Sequence, residues 1–426
     1  MRQINVGLIG IGTVGGGVAQ ILKKHHDAIL RHQGVDIRLI TCSSLDRQQA
    51  IDLGIEDIFV DDASDVINNP EVDIIVELIG GTGVAKKFVL EALNAKKHVV
   101  TANKALMAAC WDEIIGAAKE NGVSIMFGTS VGGGIPIIGP LNHSLTGNEI
   151  SSVLGIVNGT TNYMLTRMLE GGIDYSTALR EAQQNGFAEA NPSADVDGFD
   201  AAAKIAILAS IAFNSVVNIS QVPTEGITKI TPVDMTFASE MGYKIKLLAI
   251  ANRTEKGIEA RVHPAMVPVT HPLASVDGVF NAIYVVGDFV GETMFYGEGA
   301  GRGAAASAIV GDIVETSKLL TDGITTFRHP VCEDNLPVIP ISELSTQYYI
   351  RIPVIDQPGV FAAIADVFAK QKISIKSVVQ RGGDGRTTDL VVVTHTARES
   401  SVQQAIEAVM QSECIVSEPQ IIRLVK

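Results

Sequence analysis

Four carboxylates and a lysine crowd the stretch from Gly186 to Lys204: Glu189, Asp195, Asp197, Asp200 and then Lys204. Ile205-Ala206-Ile207-Leu208-Ala209 follows, so the lysine opens onto an apolar helix. With that helix starting near Gly198, Asp200 and Lys204 stand one turn apart on a single face. An ammonium in such surroundings can stabilise negative charge growing on a substrate oxygen and deliver a proton to it. Structural roles compete for the same residues. Asp197 suits a helix N-cap, Asp200 suits the positive end of the helix dipole, and Asp200 with Lys204 could be a surface pair worth about 0.2–0.5 kcal/mol. The rest of the chain decides between these readings.

The chain opens with a buried strand, Ile4-Asn5-Val6-Gly7-Leu8-Ile9, that runs straight into Gly10-Ile11-Gly12-Thr13-Val14-Gly15 and then an amphipathic helix through Val18, Ile21 and Leu22. GxGxxG is weak evidence alone and strong evidence between a strand and a helix. Gly10 permits the tight turn, Gly12 lets a pyrophosphate approach the backbone, and Gly15 lets the helix pack on the strand. A second strand, Asp36–Thr41, ends in Cys42-Ser43-Ser44 with Arg47 nearby. An acid at that strand end would hold an NAD ribose; Ser43 and Arg47 instead suit the extra phosphate of NADP, while Asp46 keeps NAD open. Strands at 72–79, 98–101 and 123–127 alternate with helices at 84–97 and 111–121, which implies a Rossmann-type, doubly wound parallel sheet. Its ligands lie at the carboxyl ends of the strands, so Thr101-Ala102-Asn103-Lys104 stands at the mouth of the cofactor crevice.

From about Gly134 the alternation breaks. Asn158-Gly159-Thr160-Thr161-Asn162 precedes a helix, with Thr or Asn as its cap. Strand-like runs at 241–252, 258–262 and 283–287 predict a second α/β unit with a mixed sheet. Gly297 to Gly303 then leads into an alanine-rich helix, 304–320, and suits either close approach to a cofactor or phosphate or simply a flexible turn. Prolines and turns mark 321–347 as a linker. Beyond it a strand at 348–354, a turn at Asp356-Gln357-Pro358-Gly359, a helix over 360–371, strands near 373–380 and 388–395, a helix over 399–411 and a strand at 420–425 give the ferredoxin-like β-α-β-β-α-β order. The domains read as 1–135 for the dinucleotide (completed by about 303–320), 136–302 for substrate and dimerisation, and 348–426 as a regulatory unit.

A net charge of −14 opposes binding to nucleic acid or to anionic membrane surfaces. The four cysteines are scattered without a CxxC pair, which fits a reducing compartment. No apolar run reaches membrane-spanning length, and the N-terminus enters a strand without a signal-peptide pattern, so a cytoplasmic protein is expected. The histidines show no HExxH or clustered metal-ligand spacing.

Taken together, Gly10-x-Gly12-x-x-Gly15, Thr101-Ala102-Asn103-Lys104, Asn158-Gly159-Thr160-Thr161-Asn162 and above all Gly186 to Lys204 resemble the homoserine dehydrogenase family over the first 320 residues, and the C-terminal unit resembles an ACT domain. The resemblance implies interconversion of L-homoserine and L-aspartate 4-semialdehyde by hydride transfer with NADP or NAD, in threonine and methionine biosynthesis. It implies Lys204 as proton donor to the aldehyde oxygen and Lys104 as a contact of substrate and cofactor. Glu189 and Asp200 match homoserine-binding acids, with Asp195 as a supporting carboxylate. Gly186 and Gly301 match cofactor-lining positions, with Thr13 and Val14 in the phosphate turn. The family often places an acid before Val131-Gly132-Gly133-Gly134-Ile135, where a sodium ion is held partly by carbonyls. Here Gly128 stands in the acid's place, leaving only the carbonyls of Val131, Gly133 and Ile135 for an ion. ACT domains commonly pair side by side around an amino acid, which implies a homodimer or homotetramer. A threonine effector is expected at Asp356, Gly359 and Val360, where the helix N–H groups can meet a carboxylate. An ACT unit serving dimer contacts alone is the other reading of the tail.

Two other functions compete. An ACT-tailed 2-hydroxy-acid dehydrogenase would carry its nucleotide motif mid-chain and use a histidine, whereas this motif begins at residue 10. A non-catalytic amino-acid sensor would have no need of Lys104, Glu189, Asp200 and Lys204 together.

Overall fold

The computed structural model describes residues 2–323, 332–381 and 386–425. Its strands, in chain order, begin with β1 (Gln3–Ile9), β2 (Asp36–Ser43), β3 (Ile74–Glu77), β4 (His98–Thr101) and β5 (Ile125–Met126). Then come β6 (Ile150–Ile156), β7 (Tyr243–Thr254), β8 (Gly257–Pro268), β9 (Phe280–Gly287) and β10 (Gly291–Glu298). The tail adds β11 (Ser345–Ile355), β12 (Ile375–Arg381), β13 (Thr387–Thr394), β14 (Ala397–Arg398) and β15 (Gln420–Leu424). By its internal contacts the chain divides into two compact units, and helix Phe199–Ala212 contributes residues to both. Among the described residues no helix is long and apolar enough to cross a membrane.

The first unit comprises Met1–Val157, Ala203–Ser220 and Phe280–Leu336. Its parallel sheet runs β2-β1-β3-β4-β5, so the chain leaves β1 for one neighbour and returns to the other side at β3. That reversal leaves a crevice beyond the carboxyl ends of β1 and β3. Ile4, Val6 and Leu8 of β1 share a core with Val18 and Leu22 of helix Thr13–Gln33 and with Ala306, Ile309 and Ile313 of helix Arg302–Thr321. A Cβ on Gly17 would fall 2.8 Å from the Ala306 Cβ, so this glycine lets the two helices meet. Strands β6, β9 and β10 form antiparallel ladders in the same unit.

The second unit comprises Asn158–Ala202, Gln221–Val279 and Pro337–Lys426. β7 and β8 form a long antiparallel hairpin, and β15 joins β8 in parallel, which makes the sheet mixed. Its other face of pairing is the ferredoxin-like order β15-β11-β13-β12, with β14 beside β11. Ile364 and Phe368 from helix Val360–Lys370, and Val402 and Ala405 from helix Glu399–Met410, bury against Ile350, Ile352 and Val392.

Several elements differ from the sequence expectation. β2 runs two residues further, so Ser43 ends the strand. The helix expected at 111–121 begins at Lys104, with a kink at Cys110. β6 and β10 had no counterpart in the reading of the sequence. Of the segment expected as a linker, 324–331 lies outside the described residues, and β11 begins inside it at Ser345.

Candidate active site

The nucleotide turn is set by steric demands within six residues. Gly10 has φ +93°, and a Cβ there would lie 2.9 Å from the Leu78 carbonyl oxygen. A Cβ on Gly15 would come within 2.0 Å of the Gly10 oxygen, whereas one on Gly12 would meet nothing within 4 Å. The turn is therefore closed on its protein side and open at Gly12. Gly12 is the N-cap of helix Thr13–Gln33 and supplies no side-chain cap, so the first-turn N–H groups at Thr13 and Val14 suit a pyrophosphate. Gly10 N–H binds the Ser43 carbonyl at 2.8 Å, tying the turn to the end of β2. Ser43 itself is buried, and Arg47 is exposed, 3.9 Å from Asp61 and stacked over Phe59 at 5.2 Å.

Across the crevice, Glu77 closes β3 fully buried. It accepts the Ile79 N–H at 2.7 Å, the Gly80 N–H at 3.0 Å and the Thr101 hydroxyl at 2.7 Å. Asn103 donates to the Gly81 carbonyl at 2.6 Å while its Oδ1 caps the next helix through Leu106 N–H. Lys104 is thus the first helical residue after a polar knot, where a strand-end residue was expected. Sequence reasoning passed over Glu77; an acid ending a buried strand just before Gly80-Gly81 was the available signal. It also passed over Arg302, whose guanidinium lies 3.3 Å from where a Gly16 Cβ would stand. Gly301, with φ +115°, is the N-cap of that arginine's helix.

Asn158 is the centre of the acidic cluster. Its Oδ1 caps helix Gly159–Gly171 through Thr161 N–H, and its Nδ2 donates to Asp195 at 2.7 Å and Asp200 at 2.9 Å. Two like-charged groups are thus drawn onto one amide, which gains from ionised acceptors on both sides. The sequence suggested Asn158 as a cap; its carboxylate contacts lie 37 and 42 residues away and left no local trace. Asp195 sits on the short helix Ser193–Val196 and Asp200 in the first turn of Phe199–Ala212. Gly198, not Asp197, holds the cap position there, since its carbonyl accepts the Ala202 N–H at 2.9 Å. Four residues past Asp200, Lys204 is only 8% exposed, and its Nζ donates to the Val157 carbonyl at 2.5 Å. Gly186 (φ +73°) and Glu189 are exposed, and Glu189 is fixed through its backbone, where Gln183 donates to its carbonyl at 3.1 Å.

The glycine at 128 has a steric cause. Asp312, from helix Arg302–Thr321, accepts the Gly128 N–H at 2.8 Å, and a Cβ at 128 would lie 2.7 Å from its Oδ1. A carboxylate thus reaches the place from another element. Burial pushes the Asp312 carboxyl up to about 7, the Gly128 N–H works against that rise, and Glu315 adds to it. Beyond, Gly132 and Gly133 take φ +79° and +56°, and Ile135 N–H bonds back to the Gly132 carbonyl, so Val131 to Ile135 forms a tight turn. No group of three or more His, Cys, Asp or Glu side chains suited to a metal occurs among the described residues.

In the ferredoxin-like fold, Asp356, Gly359 and Val360 line a cavity of about 360 Å³ together with Phe361, Gln380 and Leu390. Gly359 (φ +94°) is the N-cap of helix Val360–Lys370, and Gln380 donates to Asp356 at 3.1 Å.

Family comparisons bear on both units. A family model described as homoserine dehydrogenase matches residues 136–314, its NAD binding domain matches 10–128, and an ACT domain matches 348–413. A homoserine dehydrogenase of Neisseria gonorrhoeae is 40% identical over 431 residues, covering 100% of this chain and 99% of its own. The chain belongs to the homoserine dehydrogenase family. The homoserine dehydrogenase of Bacillus subtilis is likewise 40% identical, across 97% of this chain and 96% of its own. The crystal structure of a homoserine dehydrogenase from Thiobacillus denitrificans matches with a TM-score of 0.95 at 40% identity, over 100% of this chain and 99% of that one. As a homoserine dehydrogenase, the protein is an oxidoreductase that acts on a CH–OH group, takes a nicotinamide dinucleotide at a Rossmann-type domain and carries an ACT domain.

Proposed function

We propose that Asp195, Asp200, Glu189 and Lys204 form the homoserine-facing part of the site, with Lys104 contacting both substrate and dinucleotide. The observation that carries this reading is at Val157-Asn158. One residue's carbonyl directs the buried Lys204 ammonium, and the next residue's amide gathers Asp195 and Asp200. A bound nicotinamide supplies the hydride to the aldehyde, or accepts it from homoserine. In the reducing direction Lys204 stabilises the growing alkoxide and gives it a proton; in the oxidising direction its conjugate base takes the hydroxyl proton. The acids hold the substrate's ammonium and, with Lys204, orient its hydroxyl. Gly10 to Gly15, with Gly186 and Gly301, line the dinucleotide, and Ser43 with Arg47 favours NADP over NAD.

The reading extends to the assembly and its control. The 1–135, 136–302 and 348–426 segments act as cofactor, substrate and regulatory domains of a cytoplasmic enzyme of threonine and methionine biosynthesis. Threonine binds at Asp356, Gly359 and Val360 and inhibits, in a homodimer or homotetramer. A sodium ion sits on the carbonyls of Val131, Gly133 and Ile135; equal activity in sodium-free and sodium-containing buffer would remove that part.

Lys204→Ala tests the core of the reading. Homoserine-dependent reduction of the dinucleotide should fall about a hundred- to ten-thousand-fold. An active variant would end the proton-donor role.

A further inference from the structure

The acidic turn is held from behind by a strap, residues 223–227, that belongs to the same compact unit. Ile227 N–H bonds to the Val196 carbonyl at 2.8 Å. A Cβ on Gly226 would lie 2.1 Å from that carbonyl oxygen and 2.5 Å from the Asp197 Cα, so the two backbones touch. Gly198, with φ +88°, meets Thr224 from the other side, its Cβ position being 2.9 Å from the threonine methyl. The strap thus packs directly on the residues between Asp195 and Asp200. It is also anchored to β8, where Glu225 N–H bonds to Val262 O at 2.8 Å and Val262 N–H to Pro223 O at 2.9 Å.

The side chain of Glu225 leads elsewhere. Its two oxygens accept from Arg423 Nη1 at 2.9 Å and Nη2 at 2.8 Å. Arg423 lies on β15 of the ferredoxin-like fold and is 3% exposed. Its Nε and Nη2 also reach Glu399, at 2.8 and 2.6 Å, and Glu399 opens helix Glu399–Met410 and takes the Tyr348 hydroxyl at 2.9 Å. Burial disfavours the Arg423 charge, and the Glu399 and Glu225 carboxylates more than offset it, so the guanidinium stays firmly protonated. A planar fork gripped bidentately on both sides leaves little slack.

We propose that the Glu225–Arg423–Glu399 clasp is a positioning device through which the ACT fold sets the acidic turn, and with it the affinity for homoserine. Glu225 and Gly226 are its positioning residues; neither touches the reacting atoms. A displacement of β15 or of the Glu399 helix moves the Glu225 carboxylate, and the close-packed Gly226–Val196 contact passes that movement to Asp195 and Asp200. The inference rests on the reading that those two acids hold the substrate.

The test uses the full-length enzyme and four variants. Glu225→Gln keeps the shape of a half-exposed side chain and removes its charge, while Gly226→Ala pushes on the turn without touching the ion pair. Each should raise the homoserine KM by roughly fivefold or more, a typical coupling, with the dinucleotide KM at the wild-type value. Glu225→Asp should recover part of the change. An unchanged homoserine KM in both folded variants, or an equal rise in both KM values, would overturn the clasp as a positioning device, as would failure of both to fold. Asp200→Asn reports on the underlying reading separately: an unchanged homoserine KM there would overturn the substrate role of the acids, and the clasp's role with it.

Discussion

The glycine turn at residues 10–15 and the acidic turn at 186–200, the two ends of the proposed site, are built in opposite ways. The first is local. Gly10 and Gly15 approach each other so closely that side chains are excluded, and the strand and helix that flank them complete the ligand cradle. The second is assembled at a distance, by Asn158 on one side and Gly226 with Ile227 on the other. A local device is encoded by its own short motif. A remote one depends on groups whose spacing in sequence carries no signal, and it is open to control by whatever holds those groups.

The largest effect should come from breaking the local turn. Gly15→Ala forces a shift of the Gly10 carbonyl and should weaken dinucleotide binding by about a hundredfold, the equivalent of an overpacking strain of about 3 kcal/mol. Titration of the variant with NADP and NAD checks this, and near-normal binding would mean that the turn is less rigid than its contacts imply. A smaller effect is expected in the ACT cavity. Asp356→Ala should raise the threonine concentration for half-inhibition about tenfold, the worth of one hydrogen bond to a charged group. Unaltered inhibition would move the effector elsewhere.

The smallest effect concerns stability alone. Asp312 has a carboxyl raised from 3.8 to about 7, so the folded protein takes up a proton between those values. Stability from this group is complete below its unfolded value and is lost as pH rises through the folded one. Asp312→Asn keeps an acceptor for Gly128 N–H and removes the titration. It should therefore be more stable than wild type at about pH 8, by up to about 4 kcal/mol, and melt at a higher temperature there, with the gap narrowing toward about pH 5. Parallel melting curves across that range would contradict the assignment.

The same contrast explains what the sequence made legible. The parallel sheet and the ferredoxin-like order stood out because each strand and helix carried its own apolar period, and the boundaries from Val360 to Leu424 fell within a few residues. The helix at Lys104 was hidden because its first turns, Ala105 to Cys110, end in a kink and start only two residues after a strand. β10 was hidden because its residues alternate between exposed and half-buried, which leaves no apolar core signal. Asp195, Asp200 and Lys204 were legible as chemistry through the family resemblance. The groups around them were not: Asn158 reaches Asp195 and Asp200 from 37 and 42 residues away, and Glu77 and Arg423 are single charged residues in apolar surroundings whose partners only the folded chain shows.

In the proposed site the acidic turn is the homoserine end and the glycine turn the dinucleotide end. Asn158→Ala separates them, because Asn158 touches Asp195 and Asp200 and lies outside the nucleotide turn. Both KM values should be measured on one preparation of that variant. The prediction is a homoserine KM raised about tenfold or more through the loss of two charge-assisted hydrogen bonds, with the dinucleotide KM unmoved. A dinucleotide KM that rises while homoserine binding is preserved would contradict it.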